Sequence, residues 1–159
     1  MPPARLQITT LADLLEWYEK NLCQVSLTDP RGFRVRFLPG DFIHLIKLKT
    51  KYGKEPSNAR LILAEIREGK ILLRPGRFDI QRAAELPWAA PLATDPGFIC
   101  PNWVALGQGD EAYVKNFGSD DQPAHRVMIC KRVGTIRRVV TIFPREKISQ
   151  PIRRTQIWP

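Results

Sequence analysis

The chain has 159 residues, 43% of them hydrophobic and 26% charged, which is one domain's worth of material with apolar content for a single core and excludes disorder of the whole chain. Its apolar runs are short, as at Ile71-Leu72-Leu73 and Val139-Val140, whereas a membrane span needs roughly 20 apolar residues, so no membrane association is expected. The net charge of +9, from 25 Lys and Arg against 16 Asp and Glu, points to a polyanionic partner.

Thr10-Leu11-Ala12-Asp13 reads as a helix cap, and Leu11, Leu14, Leu15, Tyr18 and Leu22 recur at helical spacing, which predicts a helix over 10–22. Val25 to Leu27 and Phe33 to Phe37 alternate, with the turn sequence Asp29-Pro30-Arg31-Gly32 between them, so a hairpin is expected. Asp41 can cap a short helix, Phe42 to Lys49. Pro56-Ser57-Asn58 starts a further helix over 58–68 that Gly69 closes, and 79–86 forms a short one before Pro87. Residues 87–110 are rich in Pro, Gly and Ala and read as loops around strands near Phe98–Ile99 and Trp103–Leu106. Strands are expected at 111–117, 125–133 and 135–144, with Gly134 turning the last pair into a hairpin. The expected class is α+β: N-terminal helices over about 10–86, a roughly four-stranded antiparallel sheet over about 97–147 and a basic tail over 148–159, in one domain spanning 1–159.

Charge is unevenly spread. His125 to Pro159 carries nine basic residues and one acid, Arg31 to Lys54 carries seven and one, and Asp79 to Asp121 carries two basic residues and seven acids. If the fold brings the two basic zones together they form a polyanion-binding face; the alternative is a solvated basic surface. Cys23, Cys100 and Cys130 are odd in number and form no CxxC pair, and no apolar signal core follows Met1-Pro2-Pro3, so a reducing cytoplasm is expected. Two histidines, isolated cysteines and no HExxH give no expected metal site, and Gly107-Gln108-Gly109-Asp110 reads as a surface turn and not a dinucleotide loop, so no cofactor is expected.

Candidate chemistry lies in polar residues within apolar segments. On a helix His44, Lys47 and Leu48 share a face; a histidine can move protons in either direction near neutral pH, and Lys47 can hold a phosphate, the alternative being a hydrogen-bonded structural histidine. On the last strand Arg137 and Thr141 fall on one face by alternation, and Ile136, Arg138, Val140 and Ile142 on the other, which reads as the core face. A guanidinium and a hydroxyl so placed can both bind phosphate. Tyr113, Lys115 and Phe117 share a face suited to base stacking beside a phosphate contact, or to plain strand packing.

Phe37 with Phe42-Ile43-His44-Leu45-Ile46-Lys47-Leu48 resembles a segment of phage-associated nuclease-like domains of the barnase–EndoU–colicin–RelE superfold. Arg138-Val139-Val140-Thr141-Ile142-Phe143-Pro144 is similar to the final strand of that superfold, with Tyr113 to Phe117 in the strand region between. The resemblance covers about 33–147. It implies a metal-independent endoribonuclease that uses the 2′-hydroxyl as nucleophile, often a toxin or a phage or mobile-element effector. His44 would be general acid or base, Lys47, Lys115 and Arg137 would hold the scissile phosphate, and Thr141 would orient a phosphate oxygen. Arg34, Arg36, Lys49, Lys51, Lys131, Arg138 and Arg145 would bind the RNA backbone. The chain departs from the barnase-like pattern in having no obvious catalytic Glu and no histidine on the last strand. An enzyme of this kind calls for an acidic inhibitor. The alternatives are a nucleic-acid-binding module without catalysis and a protein-interaction component of a phage or mobile element.

Overall fold

The computed structural model describes residues 10–49, 57–70, 78–101, 109–148, 152 and 155–159. Thr10 is extended and its Oγ1 accepts from the Asp13 N–H at 3.1 Å, so α1 (Leu11–Tyr18) begins at the predicted cap. Leu11, Leu14, Leu15 and Tyr18 are its buried stripe, and a π-helical turn, Glu19–Cys23, carries the chain on and buries Leu22. β1 (Leu27–Thr28) and β2 (Arg34–Arg36) then pair antiparallel, as expected of a hairpin. Asp29 shapes the turn between them: its Oδ1 accepts from the N–H groups of Arg31 and Phe33, and Gly32 supplies a φ of 92°.

A 3-10 turn, Pro39–Asp41, leads into α2 (Phe42–Leu45). This helix is one turn long and not the expected run to Lys49, because Lys47 enters the left-handed region at φ 51°. Asp41 does not cap it; both carboxylate oxygens receive the Arg138 guanidinium instead. α3 (Ala59–Arg67) starts at Asn58, whose side chain accepts from the Leu61 N–H, and Arg67 pairs with Glu19 at 3.0 Å to tie it to the π-helical turn. α4 (Ile80–Glu85) is capped by Asp79. A 3-10 turn (Leu86–Trp88) and α5 (Ala89–Thr94) follow where the composition predicts loop. Pro87 and Pro91 sit in first turns, where a missing N–H costs nothing, and Ala89, Leu92 and Ala93 bury one face.

β3 (Phe98–Pro101), β4 (Glu111–Asn116), β5 (His125–Val133) and β6 (Ile136–Arg145) form an antiparallel meander, with Gly134 at φ 61° in the last hairpin. The α+β class stands. The expected sheet of roughly four antiparallel strands is corrected to a mixed sheet that has six strands among the described residues, in the order β1-β2-β6-β5-β4-β3. The N-terminal hairpin joins it through β2, which runs parallel to β6. Strands of two and three residues bury too little alone and are held by this pairing. The expected strand at Trp103–Leu106 lies outside the described residues.

One sheet face carries Ile99, Tyr113, Met128, Cys130, Val139 and Ile142 into the main core with Leu11, Leu14, Tyr18, Phe37, Phe42 and Leu92. The opposite face holds a second cluster, Cys100, Ala112, Val114, Val127 and Ile129, closed by Ile148. Near the C-terminus, the Ile157 N–H donates to the Ile99 carbonyl at 2.7 Å and the Trp158 carbonyl accepts from the Ile99 N–H at 2.8 Å, covering part of the β3 edge. Ile129 pairs with Thr141 and Cys130 with Val139, so Val140 is an extra residue, a bulge in β6. Alternation therefore reverses there, and Arg137 and Thr141 fall on opposite faces, not on the shared face that strict alternation predicts.

Candidate nucleic-acid interface

Register, not sequence proximity, assembles the basic surface. Arg36 on β2 pairs with Arg138 on β6, and Arg138 pairs with Lys131 on β5, so three cations stand side by side on adjacent strands. Strands lie about 4.8 Å apart, so the row spans about 10 Å. Arg34 precedes Arg36 by two residues on the same face, and the bulge turns Thr141 onto that face as well. Arg34, Arg36, Lys131 and Arg138 are exposed, and Thr141 is half-buried. Arg145 is exposed further along β6, on the same face, paired with His125. Arg138 is held by Asp41 through two hydrogen bonds of 2.9 and 2.6 Å, which neutralises the middle of the row and fixes its position.

The end of α2 forms a second part. His44 and Lys47 are exposed, whereas Leu48 turns inward and is buried, so the three do not share a solvent face. The Lys47 N–H donates to the His44 carbonyl at 3.1 Å, and the Asp79 N–H donates to the Ile46 carbonyl at 2.8 Å, pinning the start of α4 to the end of α2. Between them lies an open pocket of about 210 Å³ lined by Lys47, Lys49, Phe78 and Asp79. Two ammonium groups and one carboxylate leave it cationic, and α2 packs beside β6. Lys51, the remaining backbone-binding candidate of this region, lies outside the described residues.

Lys115 and Arg137 do not join either part. Lys115 pairs with Asp95 at 2.6 Å, and in the sheet it sits opposite Arg126. Arg137 sits opposite Arg132, six positions along β5 from Arg126, a separation of about 20 Å. Its side chain is buried, donates to Glu111 at 3.1 Å and stacks 4.0 Å from the Phe33 ring centroid.

Arg137 belongs to a buried charge cluster that the sequence reading did not find. Arg31 donates to Asp29 Oδ2, to Glu111 Oε2 and to the Tyr113 hydroxyl, and Tyr113 in turn donates to Asp29 Oδ2 at 2.6 Å. Two carboxylates and two guanidinium groups satisfy one another and tie the β1–β2 turn across the sheet to β4. Burial alone would raise the Asp29 pKa, but hydrogen bonds from Tyr113, Arg31 and the Phe33 N–H outweigh it and hold the carboxyl below its usual range. Burial pushes the Tyr113 phenol far up, so it stays protonated and donates. The signal in the sequence was Glu111 at the head of a strand whose next three residues are apolar or aromatic, because a charge in such a place must find a buried partner.

The three cysteines are free thiols. Burial pushes Cys23 up to about 11, Cys100 up to about 12 and Cys130 well above its ordinary value, so each stays protonated at neutral pH and is a poor nucleophile. Among the described residues no group of three or more His, Cys, Asp or Glu converges as a metal-binding set would, and no helix is long and apolar enough to cross a membrane. No protein-family model matches the chain, no curated protein matches it, and no solved structure matches its fold, so the likeness to the barnase–EndoU–colicin–RelE superfold rests on the residues quoted for it.

Proposed function

We propose that this protein binds RNA along the sheet face that bears Arg34, Arg36, Lys131, Arg138 and Thr141. The observation that carries this reading is the lateral row Arg36–Arg138–Lys131. Like charges directly opposite one another destabilise a sheet, and Asp41 relieves only the middle member. A phosphate backbone relieves the rest, and the release of its condensed counterions favours binding. The half-buried Thr141 hydroxyl adds a donor for a phosphate oxygen on the same face. The test is binding of a single-stranded RNA as salt is varied. Log affinity should fall linearly with log salt, and Arg36→Gln and Lys131→Gln should each reduce that slope by about 0.7. A slope that both variants leave unchanged sinks the reading.

Cleavage is a second reading, favoured by a separate observation: His44 is exposed on α2, three residues before Lys47, which lines the pocket with Lys49, Phe78 and Asp79. In a metal-independent endoribonuclease His44 would take the 2′-hydroxyl proton or protonate the leaving oxygen, and Lys47 would hold the phosphate. Incubation with RNA in EDTA tests it. Wild-type cleavage that His44→Ala loses supports it, and intact RNA, or equal cleavage by the variant, removes it. A protein that silences such an enzyme would be acidic and would cover the same basic row.

A further inference from the structure

We infer that Trp88 and Phe117 form an aromatic step on which an unpaired RNA base stacks, with Lys115 beside it for the adjoining phosphate; this rests on the RNA-binding reading above. The two rings come from distant parts of the chain, the 3-10 turn before α5 and the residue after β4, and meet edge to face with centroids 4.5 Å apart. Both are only half-buried, unlike Tyr113, which alternation places with Lys115 but which is fully buried in the charge cluster.

The flanking charges differ in a way that suits two tasks. Arg126 lies 4.2 Å from the Trp88 ring centroid, and its partner Glu85 is 3.0 Å away with a side chain only 10% exposed. That shielded pair keeps the guanidinium over the Trp88 ring, so this part of the step is set before any ligand arrives. Lys115 lies 5.5 Å from the Phe117 ring centroid, and its partner Asp95 has a side chain 79% exposed. An ion pair so open to water contributes little, so a phosphate can take the place of Asp95 at small cost. Aromatic rings with a movable cation beside them suit a single-stranded nucleic acid, because every base has a π-face and every nucleotide a phosphate. Lys115, Arg126 and Pro144 pair side by side on the main-core face of the sheet, whereas Arg145 and the basic row lie on the opposite face, so the step is a contact separate from the row, and an RNA that reaches both must pass round the edge of the sheet.

Two probes of equal length and charge separate this inference from the reading it rests on: an oligouridine and the same oligomer without bases. The wild type should bind the oligouridine roughly 5- to 100-fold more tightly than the abasic oligomer. Trp88→Leu and Phe117→Leu should abolish that preference while keeping the salt dependence, and Lys115→Gln should lower the salt slope by about 0.7 and keep the preference. Thermal unfolding of each variant verifies folding, and Phe117→Leu serves if Trp88→Leu does not fold. Equal wild-type affinity for the two probes overturns the step and leaves backbone binding standing. No binding of either probe overturns both.

Discussion

Arg137 on β6 donates its Nε–H to Glu111 Oε1 on β4 at 3.1 Å, across β5, which lies between the two strands. Arg31, from the β1–β2 turn, donates to the other oxygen of the same carboxylate. A single acid thus ties the β1–β2 turn to β6, and its charge is met by these two guanidinium groups and, at 4.0 Å, by Arg132 Nε as well. Replacing Glu111 with Gln leaves two guanidinium groups short of charge in a buried place. The expected loss is about 3–5 kcal/mol. That corresponds to a drop on the order of 10 °C in Tm for a domain of this size, read by thermal unfolding. A change under about 1 kcal/mol would show that the cluster does not hold the hairpin to the sheet.

The same cluster sets an acid limit. The folded-state pKa of Asp29 is lowered, so its stabilising contribution is present above the ordinary carboxylate pKa, near 4, and is lost as pH falls below that towards the folded value. Wild-type stability should decline below about pH 4, where Asp29 begins to protonate in the unfolded chain. Asp29→Asn should be less stable at pH 7 and should show a shallower decline in acid. Parallel acid limbs for the two proteins, measured by urea unfolding across pH, would assign the decline to other carboxylates.

Asp41 occupies both arms of the Arg138 guanidinium, whose side chain is 44% exposed. It competes with any phosphate for that fork. Asp41→Asn should therefore tighten RNA binding, by up to about fivefold given the worth of a partly exposed ion pair. It should also steepen the salt dependence. Weaker binding by this variant would mean that Asp41 orders Arg138 for the ligand and does not screen it.

Lys47 holds φ at 51°, a conformation that costs a residue with a Cβ about 1–2 kcal/mol. Lys47→Gly should remove that strain, and after the extra freedom glycine has in the unfolded chain the net gain should be up to about 1 kcal/mol. Lys47→Val should destabilise, because a β-branched side chain fits the left-handed region worst. The pair of Tm values decides it: a lower Tm for the glycine variant than for wild type would show that side-chain packing outweighs the backbone strain.

Much of the local structure was legible. Thr10, Asn58 and Asp79 each accept from backbone N–H groups at a helix start, as short polar side chains do wherever orphan donors need partners. The bounds of β4, β5 and β6 lie within about two residues of the alternating runs that announce them. α5 was not legible, because two prolines and a run of alanines look like loop until Leu92 and Ala93 find a core to fill. The site was legible only in part. His44 and Lys47 are both exposed, but Arg137 turned inward because one inserted residue, Val140, reverses the alternation that assigned its face. Nothing in β6 alone announces that bulge, since it exists only in the pairing with β5.

By itself the sequence determined the α+β class, the caps at Thr10 and Asn58, the turns and the net basic charge, all of which depend on residues a few positions apart, whereas Asp41, an expected cap, was taken by Arg138 from a distant strand. Only the tertiary structure decided which charges face solvent. Arg36, Arg138 and Lys131 became neighbours because β2 runs parallel to β6 and β6 antiparallel to β5. Arg31, Asp29, Glu111 and Arg137 became a closed set because burial leaves a charge no partner but another charge. Side-chain periodicity is a local property of the backbone, whereas the partner of a charge is whatever the completed sheet brings within about 3 Å of it.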